Sequence, residues 1–102
     1  MNAALVVQTN MAADVIITLK IMPEGLEINL EKLSNDCAKK IESFGGKIAK
    51  TEEVPIAFGL KAIVFKFFID EAKGWAEENE EELASIKGVN SVNVEEVRRA
   101  VG

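Results

Sequence analysis

The stretch Leu60 to Ile69 limits what this chain can become more than any other segment. Ile63, Phe65, Phe67 and Ile69 fall on one side of an extended backbone, and Leu60, Ala62, Val64 and Phe68 on the other, interrupted by Lys61 and Lys66. Side chains alternate across a strand, so a run that is apolar on both sides belongs in the interior of a sheet. One face is expected to carry helices. The other is either buried by a partner or only partly wet.

The rest of the chain has to supply that sheet and its cover. From Asp14 to Met22, Val15, Ile17, Leu19 and Ile21 alternate with Ile16, Thr18 and Lys20, a β-branched strand pattern that Pro23-Glu24-Gly25 ends. Leu30, Leu33, Cys37, Ile41 and Phe44 follow at helical spacing. Asn29 is placed to cap that helix, Glu31 suits its positive end, and Gly45-Gly46 stops it. Lys47 to Val54 alternates weakly and carries charge on both sides, which suits a sheet edge. A turn at Pro55 to Gly59 leads into the apolar strand. Trp75 to Ile86 reads as a second helix crowded with glutamates, closed by Lys87-Gly88, and Ser91 to Val97 as a last strand. The order β-α-β-β-α-β, with right-handed crossovers, predicts an α+β ferredoxin-like sandwich: a four-stranded antiparallel sheet with two helices on one face.

At 102 residues the chain is long enough for one such core and too short for two. Residues 1–12 precede the first pattern and read as a flexible extension. No Lys or Arg comes before Lys20, so the positive start of a secretory signal is missing. The single cysteine, Cys37, has no internal disulfide partner and sits in an apolar helical stripe, as a small buried residue of a cytoplasmic protein would. With 12 basic against 17 acidic side chains the net charge is −5, which argues against neutralising a phosphate backbone and favours a partner with a basic rim.

Catalytic chemistry fails on inventory. The chain has no histidine, so Ser-His and Cys-His pairs and the commonest metal ligand are absent, and one cysteine cannot build a zinc knuckle. Gly45-Gly46 lacks the context of a phosphate loop. Glu77 to Glu82 is a run of solvated carboxylates without the spaced oxygen ligands of a calcium loop. The expectation is a binding protein and not an enzyme. It is expected to hold no cofactor or metal, to contact neither nucleic acid nor membrane, and to act as a monomer. Two features stand out as surface. Phe58, between Ala57 and Gly59, either folds back over the sheet edge or inserts into a partner, as aromatic hot spots do. Arg98-Arg99 begins a short basic tail.

The segment Glu52-Glu53-Val54-Pro55-Ile56-Ala57-Phe58-Gly59-Leu60 resembles the matching loop of the archaeal elongation factor 1-beta family. The acidic second helix, the turn Ile86-Lys87-Gly88-Val89 and the ending Ser91-Val92-Asn93-Val94 with Val97-Arg98-Arg99 resemble it too, as does Met22-Pro23-Glu24. The resemblance spans residues 14 to 99. It implies that residues 13–102 form a ferredoxin-like nucleotide-exchange domain that promotes release of GDP from elongation factor 1-alpha. It also implies that Pro55, Ile56, Ala57, Phe58 and Gly59 form the partner-facing loop, with Phe58 as the inserted aromatic of the nucleotide-binding domain contact. Arg99, with Arg98 beside it, falls where relatives carry a lysine near the magnesium and phosphate site; here arginine replaces it and further residues follow. Two rival readings of the same fold are a regulatory module that dimerises and binds a small molecule, and an RNA-binding domain. The first lacks a visible cluster of convergent polar groups and the second a basic surface.

Overall fold

The computed structural model describes residues 14–99. The expected extension at residues 1–12 and the last three residues of the expected tail lie outside that range. The elements are β1 (Asp14–Pro23), α1 (Leu30–Ser43), β2 (Lys47–Pro55), β3 (Lys61–Asp70), α2 (Glu77–Ala84) and β4 (Val89–Arg99). They form one four-stranded sheet in the order β2-β3-β1-β4 with every pairing antiparallel. This is the ferredoxin-like sandwich, with β3 and β1 inside and the charged β2 at an edge.

The pleat sorts the central strands. Ile17, Leu19 and Ile21 of β1 and Ile63, Phe65, Phe67 and Ile69 of β3 are buried under the helices. On the open face Val64 and Phe68 are only half-buried, the partly wet outcome of the two expected. From α1 come Leu33, Cys37 and Ile41, all buried. Each large aliphatic side chain so placed contributes about 1.5–3 kcal/mol of transfer free energy. Asn29 caps α1 as its position suggests, its side-chain oxygen accepting from the Lys32 N–H at 3.1 Å. Gly46 lets α1 close onto the sheet, because a Cβ there would lie 2.7 Å from Ile41 Cγ2 and 3.0 Å from Phe67 Cδ2.

Two elements, the second helix and the last strand, differ from expectation at both ends. The second helix covers Glu77–Ala84 and not Trp75 to Ile86. Ala76 occupies its N-cap position and offers no side chain to the free N–H groups, so the helix starts late. Trp75 stays outside it and packs on Phe67 and Phe44, with ring centroids 5.1 and 5.7 Å away. The last strand, expected over Ser91 to Val97, runs from Val89 to Arg99. A bulge opposite the Thr18–Leu19 step takes up Glu95, after which Val97, Arg98 and Arg99 pair with Ile17, Ile16 and Val15. Among the described residues no helix is long and apolar enough to cross a membrane.

Candidate functional site

Antiparallel pairing fixes which loops share an end of the sheet. Pro23, Pro55, Lys61 and Val89 mark one end, here the turn end; Asp14, Lys47, Asp70 and Arg99 mark the other, the tail end. The expected site residues divide between them. Pro55 to Gly59 lies at the turn end, and Arg98 and Arg99 at the tail end. With ten residues in β3, the two groups stand about 30 Å apart. The fold does not bring the two groups together.

At the turn end, Pro55 closes β2 opposite Lys61, and the half-buried Ile56 donates its N–H to the Leu60 carbonyl at 2.9 Å. The Leu60 N–H donates to the Ala57 carbonyl at 2.8 Å, which closes a turn with Phe58 and Gly59 at its centre. Both central residues have positive φ, 53° at Phe58 and 81° at Gly59. This is the hand of turn that matches strand twist, and it normally takes Asn, Asp or Gly at the first central position. A phenylalanine held there costs roughly 1 kcal/mol of backbone strain. Its ring returns nothing to the core, being 93% exposed. Of the two expected placements, folding back over the sheet edge is therefore not the one observed.

The tail end differs from its expectation of a loose basic segment. Arg98 and Arg99 are strand residues held by β1, and the pleat sends them to opposite sides. Arg98, opposite Ile16, lies on the open face beside Glu96, with Nε 3.7 Å from a carboxylate oxygen. Arg99, opposite Val15, lies on the helix side and pairs with Glu71 in the loop after β3. Both side chains remain about two-thirds exposed. Next to them the short α2 leaves a cleft of about 350 Å³ lined by Val15, Trp75, Val94 and Val97. One wall bears the Trp75 indole, which donates to Glu80 at 3.2 Å.

Burial pushes the Cys37 thiol up to about 12, with Asp36 adding a smaller push in the same direction, so it is an inert core residue. The other resolved shifts belong to an exposed pair on β2. Lys50 is raised and Glu52 lowered, chiefly by their hydrogen bond and then by their opposite charge, at a separation of 2.6 Å. Among the described residues no polar or charged side chain is buried, and no cluster of three or more histidine, cysteine or carboxylate groups is placed to hold a metal ion.

Sequence reasoning missed one residue at the turn end. Leu26 is 67% exposed in the loop between β1 and α1. It stands off the helical stripe that begins at Leu30 and is flanked by Gly25 and Glu27, a visible signal passed over because the loop was read only as the end of a strand.

The structure thus presents an open ferredoxin-like sheet with an exposed aromatic on strained backbone at one end and paired arginines at the other. The chain belongs to the EF-1 guanine nucleotide exchange domain family, whose profile matches residues 16–100. It is 40% identical over 86 residues to elongation factor 1-beta of Methanothermobacter thermautotrophicus, spanning 84% of this chain and 96% of that protein. Elongation factor 1-beta of Methanocella arvoryzae is 41% identical over 88 residues (86% and 98% covered), and that of Metallosphaera sedula 39% over 87 (84% and 94%). Among solved structures, the ACT domain from GTP pyrophosphokinase of Chlorobium tepidum superposes with a TM-score of 0.55 at 18% identity, over 79% of this chain and 97% of that one. That likeness is one of fold alone. The function is guanine-nucleotide exchange in translation elongation, and the partner is accordingly a GTPase.

Proposed function

We propose that this domain, a cytoplasmic monomer without cofactor, releases GDP from elongation factor 1-alpha by docking two separated points of its sheet on that GTPase. The observation that carries the proposal is Phe58: a large apolar ring, almost wholly exposed, on a backbone conformation that costs energy in the free protein. The Pro55 to Gly59 turn is the anchor. Arg99, with Arg98 beside it, is the group that reaches toward the magnesium and phosphates. The separation of the ends supports this division, since one compact nucleotide site cannot meet both.

GDP is held largely through Mg²⁺ and its phosphates. A thousandfold faster release requires about 4 kcal/mol of preferential stabilisation of the opened GTPase. Burying Phe58 contributes roughly 1.5–3 kcal/mol on that scale. A guanidinium brought to the phosphates competes with the metal for the same negative charge and supplies the rest. No bond of the nucleotide is made or broken. Labelled GDP on elongation factor 1-alpha provides the test. Wild-type protein accelerates release, and Phe58→Ala weakens binding about 30-fold, or about 2 kcal/mol, with the thermal midpoint not lowered. Release that is indifferent to the wild-type protein overturns the partner, and release that is indifferent to Phe58→Ala overturns the anchor.

A further inference from the structure

The loop between β1 and α1 is built as a second apolar finger beside Phe58. The Ile28 N–H donates to the Gly25 carbonyl at 3.4 Å, closing a turn whose second residue is Leu26. That turn is tied down on both sides. The Glu24 N–H donates to the Gly88 carbonyl at 2.9 Å, and Ile28 packs against the core. Leu26 is thus held outward, in the same relative position that Phe58 occupies in the turn from Ala57 to Leu60. The two turns touch: a Cβ on Gly59 would lie 3.4 Å from Leu26 Cδ2. The described residues include three exposed large apolar side chains, Leu26, Phe58 and Val97, and two of them share this end of the sheet.

Beside Leu26 lies a groove of about 170 Å³ lined also by Pro23, Ile28, Gly59, Leu60 and Lys61. Glu24 and Glu27, on either side of Leu26 in the chain, are exposed and form no ion pair among the described residues.

We infer that Leu26 and Phe58 form a two-pronged clamp on one apolar patch of the partner GTPase, flanked there by lysine or arginine. The inference rests on the proposal that the Phe58 turn faces elongation factor 1-alpha. Apolar prongs select an apolar guest, and the unpaired Glu24 and Glu27 select a guest with basic neighbours. Because both prongs sit on hydrogen-bonded turns, little ordering is left to be done on binding.

The test is a double-mutant cycle in the full-length chain, with affinity for GDP-bound elongation factor 1-alpha as the readout. Leu26→Ala weakens binding about tenfold in the wild-type background and less than about threefold in Phe58→Ala, because the two prongs hold the same guest. The exposed position leaves the thermal midpoint unchanged. Glu24→Lys with Glu27→Lys slows association and reduces its dependence on salt. A clear loss from Phe58→Ala with Leu26→Ala within twofold of wild type would overturn the clamp and leave the anchor standing. No loss from either variant overturns the anchor and the clamp with it. Association and salt dependence that ignore the charge reversals overturn the basic-rimmed guest.

Discussion

The two ends of the sheet solve opposite problems. At the turn end, apolar side chains face water on turns that are firmly hydrogen-bonded; at the tail end, charged side chains that water readily solvates are held in a strand and paired with carboxylates. The first arrangement is stabilised only when something covers it. The second loses little on its own, because exposed ion pairs of this kind contribute about 0–1 kcal/mol. The docking proposed above uses that difference: a desolvated ring resists dissociation, while a weakly held guanidinium is free to change partners.

The comparison breaks most sharply at Phe58. Phe58→Gly should lose affinity for the GTPase as severely as Phe58→Ala, about 30-fold. It should also raise the stability of the free protein by about 1 kcal/mol, since glycine adopts positive φ without the clash. Calorimetry on both variants checks this, and a lower melting point for the glycine variant would show that the ring supports the fold.

At the tail end, Arg99→Ala should lower GDP release about tenfold while changing affinity less than about threefold. Equal losses in release and affinity would make Arg99 a second anchor and erase the contrast. Point substitution is needed here because truncation after Val97 removes two β4 residues along with the charge. Smaller still is the effect of freeing Arg99. Glu71→Gln should speed release by at most about fivefold, the equivalent of one exposed ion pair, with stability scarcely altered. A slower release in that variant would mean that Glu71 positions the guanidinium and does not restrain it.

The smallest effect lies between the ends, on β2. The Glu52 carboxyl is held below its ordinary value of 4.5, first by the hydrogen bond from Lys50 and then by its charge. A lowered folded value means that the pair's contribution is present above the unfolded carboxyl's titration and is lost as pH falls through the folded one. Titration followed by NMR should show the lowered value in the wild type and its return toward 4.5 in Lys50→Met. Exchange activity should not follow that titration if only the two ends contact the GTPase.

Much of this was legible without coordinates. The apolar strand Leu60 to Ile69 demanded a sheet interior, the stripe from Leu30 to Ile41 demanded a helix above it, and Asn29 and the Gly45-Gly46 pair marked that helix's limits, because periodicity and capping are local properties of the chain. The loop carrying Phe58 was recognisable for the same reason: Pro55 and Gly59 bracket a turn, and an aromatic within it has few places to go. Local pattern was misleading at two points. Trp75 looked helical by spacing, yet the uncapped start and the hydrophobic neighbours Phe44 and Phe67 drew it out of the helix. Arg98 and Arg99 looked like a tail, because nothing in their charge shows that β1 is long enough to pair with them.

Sequence alone determined which residues this protein can place in a core and which turn it presents, since both depend on contacts a few residues apart. Only the tertiary structure decided that the anchor and the arginines stand at opposite ends, that Arg98 and Arg99 face different sides of the sheet, and that Leu26 comes to rest beside Phe58. Those relations depend on strand register and on loops distant in the chain, and antiparallel pairing, which no local pattern encodes, is what converts separation along the sequence into neighbourhood at one end of the sheet.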